Sequence, residues 1–296
     1  MLRVRRSRTV CIAVVGIFVA MLAPGVHAQD DPAAPSAAAA PAAADTSASA
    51  TETASEADYA KKLSNPVAAL ISVPFQSNFD DNIGRERDGQ KYTLNIQPVI
   101  PLTLTDDWNL ISRTIVPVVS QSDVARGSGV QTGLGDTLQS LFFAPTKVSK
   151  LIWGVGPALL IPTGTEALLS TGKWSMGPTF VVLTQTNGWT VGALANQLWS
   201  FAGNSSRPEY NKFYFQPFLN YTTKTAMTLG LSTEGTYDWQ GHGLSMPLIA
   251  TLSQVGKIYG QLFSIGLAAK YYVATTPDGP HGFGGRITLT FLFPRH

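Results

Sequence analysis

Residues 283–293 read FGGRITLTFLF. Successive side chains of a strand point to opposite faces. On that rule Phe283, Gly285, Ile287, Leu289, Phe291 and Phe293 share one face, and Gly284, Arg286, Thr288, Thr290 and Leu292 share the other. The first face is apolar, while the second carries a guanidinium and two hydroxyls. A half-buried strand of a soluble sheet has this pattern. So does a strand of a membrane barrel, with its apolar face to lipid and its polar face to a lumen.

The same alternation recurs upstream. It predicts strands over 67–79, 91–105, 108–121, 134–144, 150–162, 173–185, 189–201, 212–223, 226–238, 245–255 and 261–273, before the final one at 283–293. The second is the clearest: Tyr92, Leu94, Ile96, Pro98, Ile100, Leu102 and Leu104 oppose Lys91, Thr93, Asn95, Gln97, Thr103 and Thr105. The first puts Ala69, Ile71, Val73 and Phe75 together, and the fifth carries a face of small residues, Gly154, Gly156 and Ala158. Pattern does not separate the faces of the fourth, and the tenth is irregular. Asn187-Gly188 is a strong hairpin signal.

Connections alternate in length. Long ones fall near 80–90, 122–132, 163–172, 202–211, 239–244 and 274–282, and short ones near 106–107, 145–149, 186–188, 224–225 and 256–260. Outer-membrane barrels have long extracellular loops, short periplasmic turns and an even strand count that leaves both termini periplasmic. Trp108, Trp153, Trp189 and Tyr221 fall beside short turns; Tyr92, Trp174, Trp199, Phe201, Phe213 and Tyr237 fall near long loops. Two aromatic belts at opposite strand ends are expected of a barrel with two membrane interfaces. The expected fold is all-β, a transmembrane antiparallel up-and-down β-barrel of about twelve strands, with ten and fourteen as the neighbouring even counts.

The amino terminus agrees with export. MLRVRRSR is followed by the apolar run TVCIAVVGIFVAMLAPG and by Val26-His27-Ala28, the layout of a signal peptide over 1–28 cleaved after Ala28. Cys11, the only cysteine, lies inside that run, so the mature chain is expected to have neither disulfides nor thiolate chemistry. Residues 29–57 are nearly all Ala, Pro, Ser, Thr and acids, a composition expected of a disordered linker. The barrel domain is expected over 58–296. It opens on DYAKKLSNP, which favours a helical turn stopped by Asn65-Pro66.

Charge carries the same message. The formal balance is +2, but loss of the four opening arginines from the 21 basic residues leaves 17 against 19 acidic ones. That balance points away from nucleic acid. Charged residues make up 14% of the chain, against about a quarter in soluble domains. No segment after residue 28 is apolar enough for a transmembrane helix. Lipid and lipopolysaccharide are the expected surroundings.

The segments SNPVAALISVPFQSNFD (64–80), TGLGD (132–136), GKWSMGPT (172–179), LWSFAG (198–203), FQPFLNY (215–221) and TFLFP (290–294) resemble a bacterial outer-membrane family. It is associated by name with the meta-pathway of phenol degradation, and its members often carry the label neuromedin U. The resemblance covers about residues 60–295 and implies a β-barrel with a transport role. It brings no catalytic residues with it. The chain departs from it in continuing Pro294-Arg295-His296 beyond the last aromatic.

The residues themselves offer little chemistry besides. His242, His281 and His296 and the loop serines Ser205 and Ser206 are the available parts for an outer-membrane lipid hydrolase, which needs a serine and a histidine in hydrogen-bond reach. Asp80, Asp81, Asn82 and Asp88 form an acidic first loop that lacks calcium-loop spacing and is neutralised by Arg85 and Arg87. TGLGD sits in a hairpin and is no phosphate loop. No metal, cofactor or catalytic set is expected.

What remains is the polar strand face. Arg113, Lys212, Glu234, Lys270 and Arg286, with Asn95, Gln97, Gln216 and Asn220, are expected to line the lumen as a substrate path, because charges facing lipid cost about 2–4 kcal/mol at mid-depth. The expected function is a channel or uptake barrel for small solutes, with hydrophobic or aromatic ones favoured. The alternatives are a lipid-modifying hydrolase and a purely structural barrel. An excess of inward cations over Glu234 predicts a modest anion preference.

Overall fold

The structure, a computed structural model, describes residues 56–147 and 149–294. The expected signal peptide and all but the last two residues of the expected linker lie outside them. Among the described residues no helix is long and apolar enough to cross a membrane.

Twelve antiparallel strands form one closed barrel. They are β1 (Ile71–Ile83), β2 (Gly89–Ile96, continued by Val99–Thr103), β3 (Trp108–Ser122), β4 (Val130–Leu134 and Thr137–Pro145), β5 (Ile152–Ile161) and β6 (Lys173–Thr186). Then follow β7 (Trp189–Gly203), β8 (Asn211–Thr222), β9 (Met227–Thr233 and Gly235–Asp238), β10 (Gly243–Ile258), β11 (Gln261–Ala274) and β12 (Gly282–Phe293). Each pairs with the next. The final strand then pairs with β1, from Ile71 opposite Phe293 to Asp80 opposite Gly284, so no sheet edge is left open.

Breaks in three strands have local causes or markers. At Gln97-Pro98 the proline has no N–H to give; Gln97 N donates to Pro74 O at 2.9 Å and Thr114 N to Pro98 O at 3.1 Å, so pairing continues across the break. At Gly135-Asp136 the aspartate turns to the loop, where its carboxylate accepts from Gly164 N (3.1 Å), Ser170 Oγ (2.6 Å) and Thr171 N (2.6 Å). In β9 the break falls at Glu234.

Three boundaries differ from the sequence reading. β1 starts at Ile71 rather than at 67, because Asn65 turns the chain: its Oδ1 accepts Val67 N at 3.0 Å and its carbonyl accepts Ala68 N at 3.1 Å. The same strand runs on to Ile83 through an irregularity between Asp80 and Ile83, so Asp80 is a strand residue, not part of a solvated acidic loop. β10 extends to Ile258, and Tyr259 and Gly260, both at positive φ, make the turn that had been expected over 256–260. Asn187 (φ 50°) and Gly188 (φ 83°) form the hairpin as read.

The outer surface is apolar by register. Leu229 lies opposite Leu252, Leu252 opposite Leu267, and Leu267 opposite Ile287, a row across four strands. Their exposures are 50, 47, 56 and 55%, so the side chains point away from the barrel. Leaving such side chains in water forgoes about 1.5–3 kcal/mol each, which identifies a lipid-facing surface. At the short-turn end Trp108 meets Trp153 (5.9 Å) and Trp189 meets Tyr221 (4.9 Å); at the loop end Tyr237 meets Trp239 (4.7 Å) and Tyr271 meets Phe283 (4.9 Å).

The short-turn end is covered by the segment before β1. A helix, α1, spans 56–63 and ends where Ser64 N reaches Ala60 O at 3.3 Å. Ala60 is buried against Ala226 and Val255, and Gln185 Nε2 donates to Lys61 O at 2.9 Å. Val67 continues inward to an apolar cluster with Ile111, Phe142, Val181, Leu183, Leu194 and Phe218. The small face of β5 makes the room: a Cβ added to Gly154 would lie 3.1 Å from Val67 Cγ1.

Candidate functional site

The interior has two unlike halves because adjacent strands contribute unlike inward faces. From β3 to β8 come Ile115, Leu138, Phe142, Leu160, Leu194, Leu198 and Phe218. From β1, β2 and β9 to β12 come Gln76, Asn95, Gln97, Ser232, Glu234, Arg286 and Thr288. Between them lies a cavity of about 570 Å³, floored by Ala60, Lys62 and Leu63 of α1 and reaching Tyr210, Lys212 and Thr236 toward the loops. That volume is within the range of small-molecule sites, about 300–1,000 Å³.

The polar half is held by paired charges. Arg286 meets Glu234 fork to fork, Nη1 to Oε1 at 2.7 Å and Nη2 to Oε2 at 2.6 Å, and its Nε donates to Asn78 Oδ1 at 2.6 Å. Two parallel charge-assisted bonds fix geometry as well as energy. Since β10 and β11 separate the two strands, this pair runs across the interior rather than along the wall. Closer to the loops, Lys270 Nζ is 2.5 Å from Asp80 Oδ1, which also accepts from Tyr272 OH at 2.9 Å. Lys212 pairs with Asp238 at 3.2 Å.

A chain of amides reaches the middle of the cavity. Gln76 Oε1 accepts from Gln97 Nε2 at 3.1 Å and Asn95 Nδ2 at 3.4 Å, and Gln97 Oε1 accepts from Arg113 Nη2 at 3.0 Å. Tyr214 OH donates to Gln216 Oε1 at 3.0 Å. At the loop end Lys173 Nζ lies 2.8 Å from Glu209 Oε1, and Ser200 Oγ donates to the other oxygen. The hydrogen bond from Lys173, then that from Ser200, holds the Glu209 carboxyl below its ordinary range.

Of the nine expected residues, Asn95, Gln97, Arg113, Lys212, Gln216, Asn220, Glu234 and Arg286 line the cavity. Lys270 points inward but is consumed by Asp80, above the cavity. The sequence reading missed Asp80, Asn78, Gln76, Tyr214 and Tyr272. The signal for the first three was present: Ser72, Pro74, Gln76, Asn78 and Asp80 share one face of β1 once the strand is carried to its true end. The interior acids are also more numerous than expected, since Asp80 and Asp238 join Glu234. Much of the anticipated cationic excess is thereby neutralised.

The parts considered for a hydrolase are engaged elsewhere. His281 Nδ1 lies 2.9 Å from Gly279 O and 3.2 Å from Asn82 O, and Ser206 Oγ donates to Asn204 Oδ1 at 2.7 Å. Among the described residues no group of three or more His, Cys, Asp or Glu is placed to hold a metal ion.

Comparison with solved structures finds the same barrel elsewhere. An outer-membrane channel from Pseudomonas putida F1 superposes with a TM-score of 0.60 at 15% identity, over 76% of this chain and 94% of that one. The dimeric outer-membrane phospholipase of Salmonella typhi gives 0.42 at 10% identity, over 76 and 90%. A FadL homologue of Pseudomonas aeruginosa gives 0.38 at 9%, over 78 and 93%. No curated protein matches this sequence. The family described as "Putative MetA-pathway of phenol degradation" matches residues 72–273, more than half of the sequence, and the chain belongs to that family.

Proposed function

We propose that the protein is an outer-membrane channel that admits small solutes, with both termini periplasmic and α1 as its periplasmic closure. The observation that carries this reading is the half-polar, half-apolar cavity inside a closed barrel whose outer face is apolar. A barrel serving only as structure has no use for about 570 Å³ of lined internal space. Strand length supports the location: β12 has 12 residues and β10 has 16, and crossing a bilayer takes about 9–11. The long loops then face outward and the short turns inward. Lipid and lipopolysaccharide contact the outer face, and the solutes are small molecules with an apolar part.

The test is planar-bilayer recording of the purified full chain beside Arg113→Ala and Arg286→Ala. The reading predicts discrete openings with modest anion preference, which each substitution reduces by removing a lumen cation. Absence of any conductance, together with no solute entry in liposome swelling, contradicts it. Conductance with selectivity untouched by both substitutions contradicts the assignment of the lumen face.

A further inference from the structure

Arg113 stands at the seam between the two halves of the cavity. On β2 its cross-strand partner is Val99, reached just past the Gln97-Pro98 break, and Gln97 accepts its Nη2 hydrogen bond at 3.0 Å. On β4 its partner is Ser140, flanked on the same face by Leu138 and Phe142. Its same-face neighbours on β3 are Ile111 and Ile115. A guanidinium has five N–H donors, and among the described residues Arg113 uses one position, on a neutral amide.

The other lumen cations are placed differently. Arg286 is matched by Glu234, Lys212 by Asp238 and Lys270 by Asp80. Lys62, on the floor, is exposed and lies 5.2 Å over the ring of Tyr59. Arg113 is therefore the half-buried cavity cation that no carboxylate of the described residues neutralises. Burying a charge is costly unless it is paired, and a planar fork with free N–H groups matches a carboxylate in two-point contact.

We propose that the cavity is a binding site for an amphipathic monoanion, a small apolar body bearing one carboxylate. Arg113 takes the carboxylate, and the wall of Leu138, Phe142, Leu194 and Phe218 takes the body. The inference rests on the channel reading above and names the solute class of that same site. A neutral apolar solute leaves the fork unmatched. A small inorganic anion leaves the apolar wall facing water. A dianion meets one uncompensated cation and, nearby, Glu234. Only the amphipathic monoanion satisfies both halves.

The test uses the full chain in detergent and three probes: benzoate, the neutral benzyl alcohol, and acetate, with binding followed by calorimetry. Benzoate is expected to bind more tightly than either of the others. Arg113→Gln should weaken benzoate at least tenfold and leave benzyl alcohol unchanged. Arg113→Lys, which keeps charge but loses the fork, should fall between. Phe218→Ala, with the guanidinium intact, should weaken benzoate and spare acetate, and it decides the matter if both Arg113 variants fail to fold by heat-modifiable migration. Benzoate binding equal to that of benzyl alcohol, or unaltered by these substitutions, overturns the proposal. Wild type that conducts without binding benzoate keeps the channel and loses the site; wild type that binds without conducting keeps the site and loses the channel.

Discussion

Lys270 and Asp80 meet over a residue that has no side chain. Both lie opposite Gly284 of β12, Lys270 from β11 on one side and Asp80 from β1 on the other. Their 2.5 Å contact bridges the intervening strand. A Cβ on Gly284 would stand 2.9 Å from Asp80 Oδ1, 3.1 Å from Lys270 Cε and 2.8 Å from the carbonyl oxygen of Phe79. The glycine is required for the space above it, since its φ is ordinary.

Gly284→Ala should therefore destabilise the barrel by about 1–3 kcal/mol, the cost of displacing buried polar partners from one another. Gly285→Ala is the matched control, because a Cβ there meets nothing within 4 Å. Urea unfolding in micelles followed by tryptophan fluorescence compares the two. Equal losses at both positions sink the explanation.

The Arg286–Glu234 bridge predicts strong non-additivity. Glu234→Gln leaves a guanidinium without its counter-charge and should cost roughly 3 kcal/mol, whereas the double variant with Arg286→Gln should cost clearly less than the sum of the singles. The same unfolding assay checks it. Additive losses would mean that lumen water already screens the pair.

The helix over the short-turn end predicts a gain rather than a loss. Ala60 is 2% exposed and packs on Ala226 and Val255, so Ala60→Arg should lift α1 from its seat without touching the strands. Single-channel conductance should rise at least twofold while heat-modifiable migration stays as in wild type. Unchanged conductance in a folded variant removes the helix from the permeation path.

How far the sequence foretold this arrangement depends on distance along the chain. Alternation is local, so the row of Leu229, Leu252, Leu267 and Ile287 could be assigned outward before any pairing was known. The same holds for the inward positions of Arg113, Glu234 and Arg286. Asp80 was misread because Asp80-Asp81-Asn82 looks like loop chemistry, and the residue that makes it a strand residue, Lys270, is far away in sequence. The cross-lumen pairs have no local signature at all. The DYAKKLSNP helix was legible from its stop at Asn65-Pro66, but its seat depends on Ala226, Val255 and the hollow at Gly154, which composition does not reveal.

Acid should loosen the loop end through Glu209. Its folded-state carboxyl titrates below the ordinary 4.5 because Lys173 and Ser200 hydrogen-bond the charged form. A depressed carboxyl stabilises the fold fully above its ordinary value, and this contribution fades as pH falls through the folded value. Hydrogen exchange over residues 204–210 should accelerate as pH drops below 4.5, beyond the intrinsic chemical effect, and Glu209→Gln should remove that excess. A variant with the wild-type pH profile contradicts the assignment.

Whether solute passes through this lumen can be settled by chemical block. Cys11, the only cysteine, lies in the expected signal peptide, so an introduced thiol is unique in the mature chain. Ser232 lines the cavity, and Ala250 lies opposite outward Leu231 on the lipid side. Single-channel current is recorded for Ser232→Cys and Ala250→Cys before and after a charged methanethiosulfonate reagent. The account predicts that current falls in Ser232→Cys and is unchanged in Ala250→Cys; current that persists in both after confirmed labelling would contradict it.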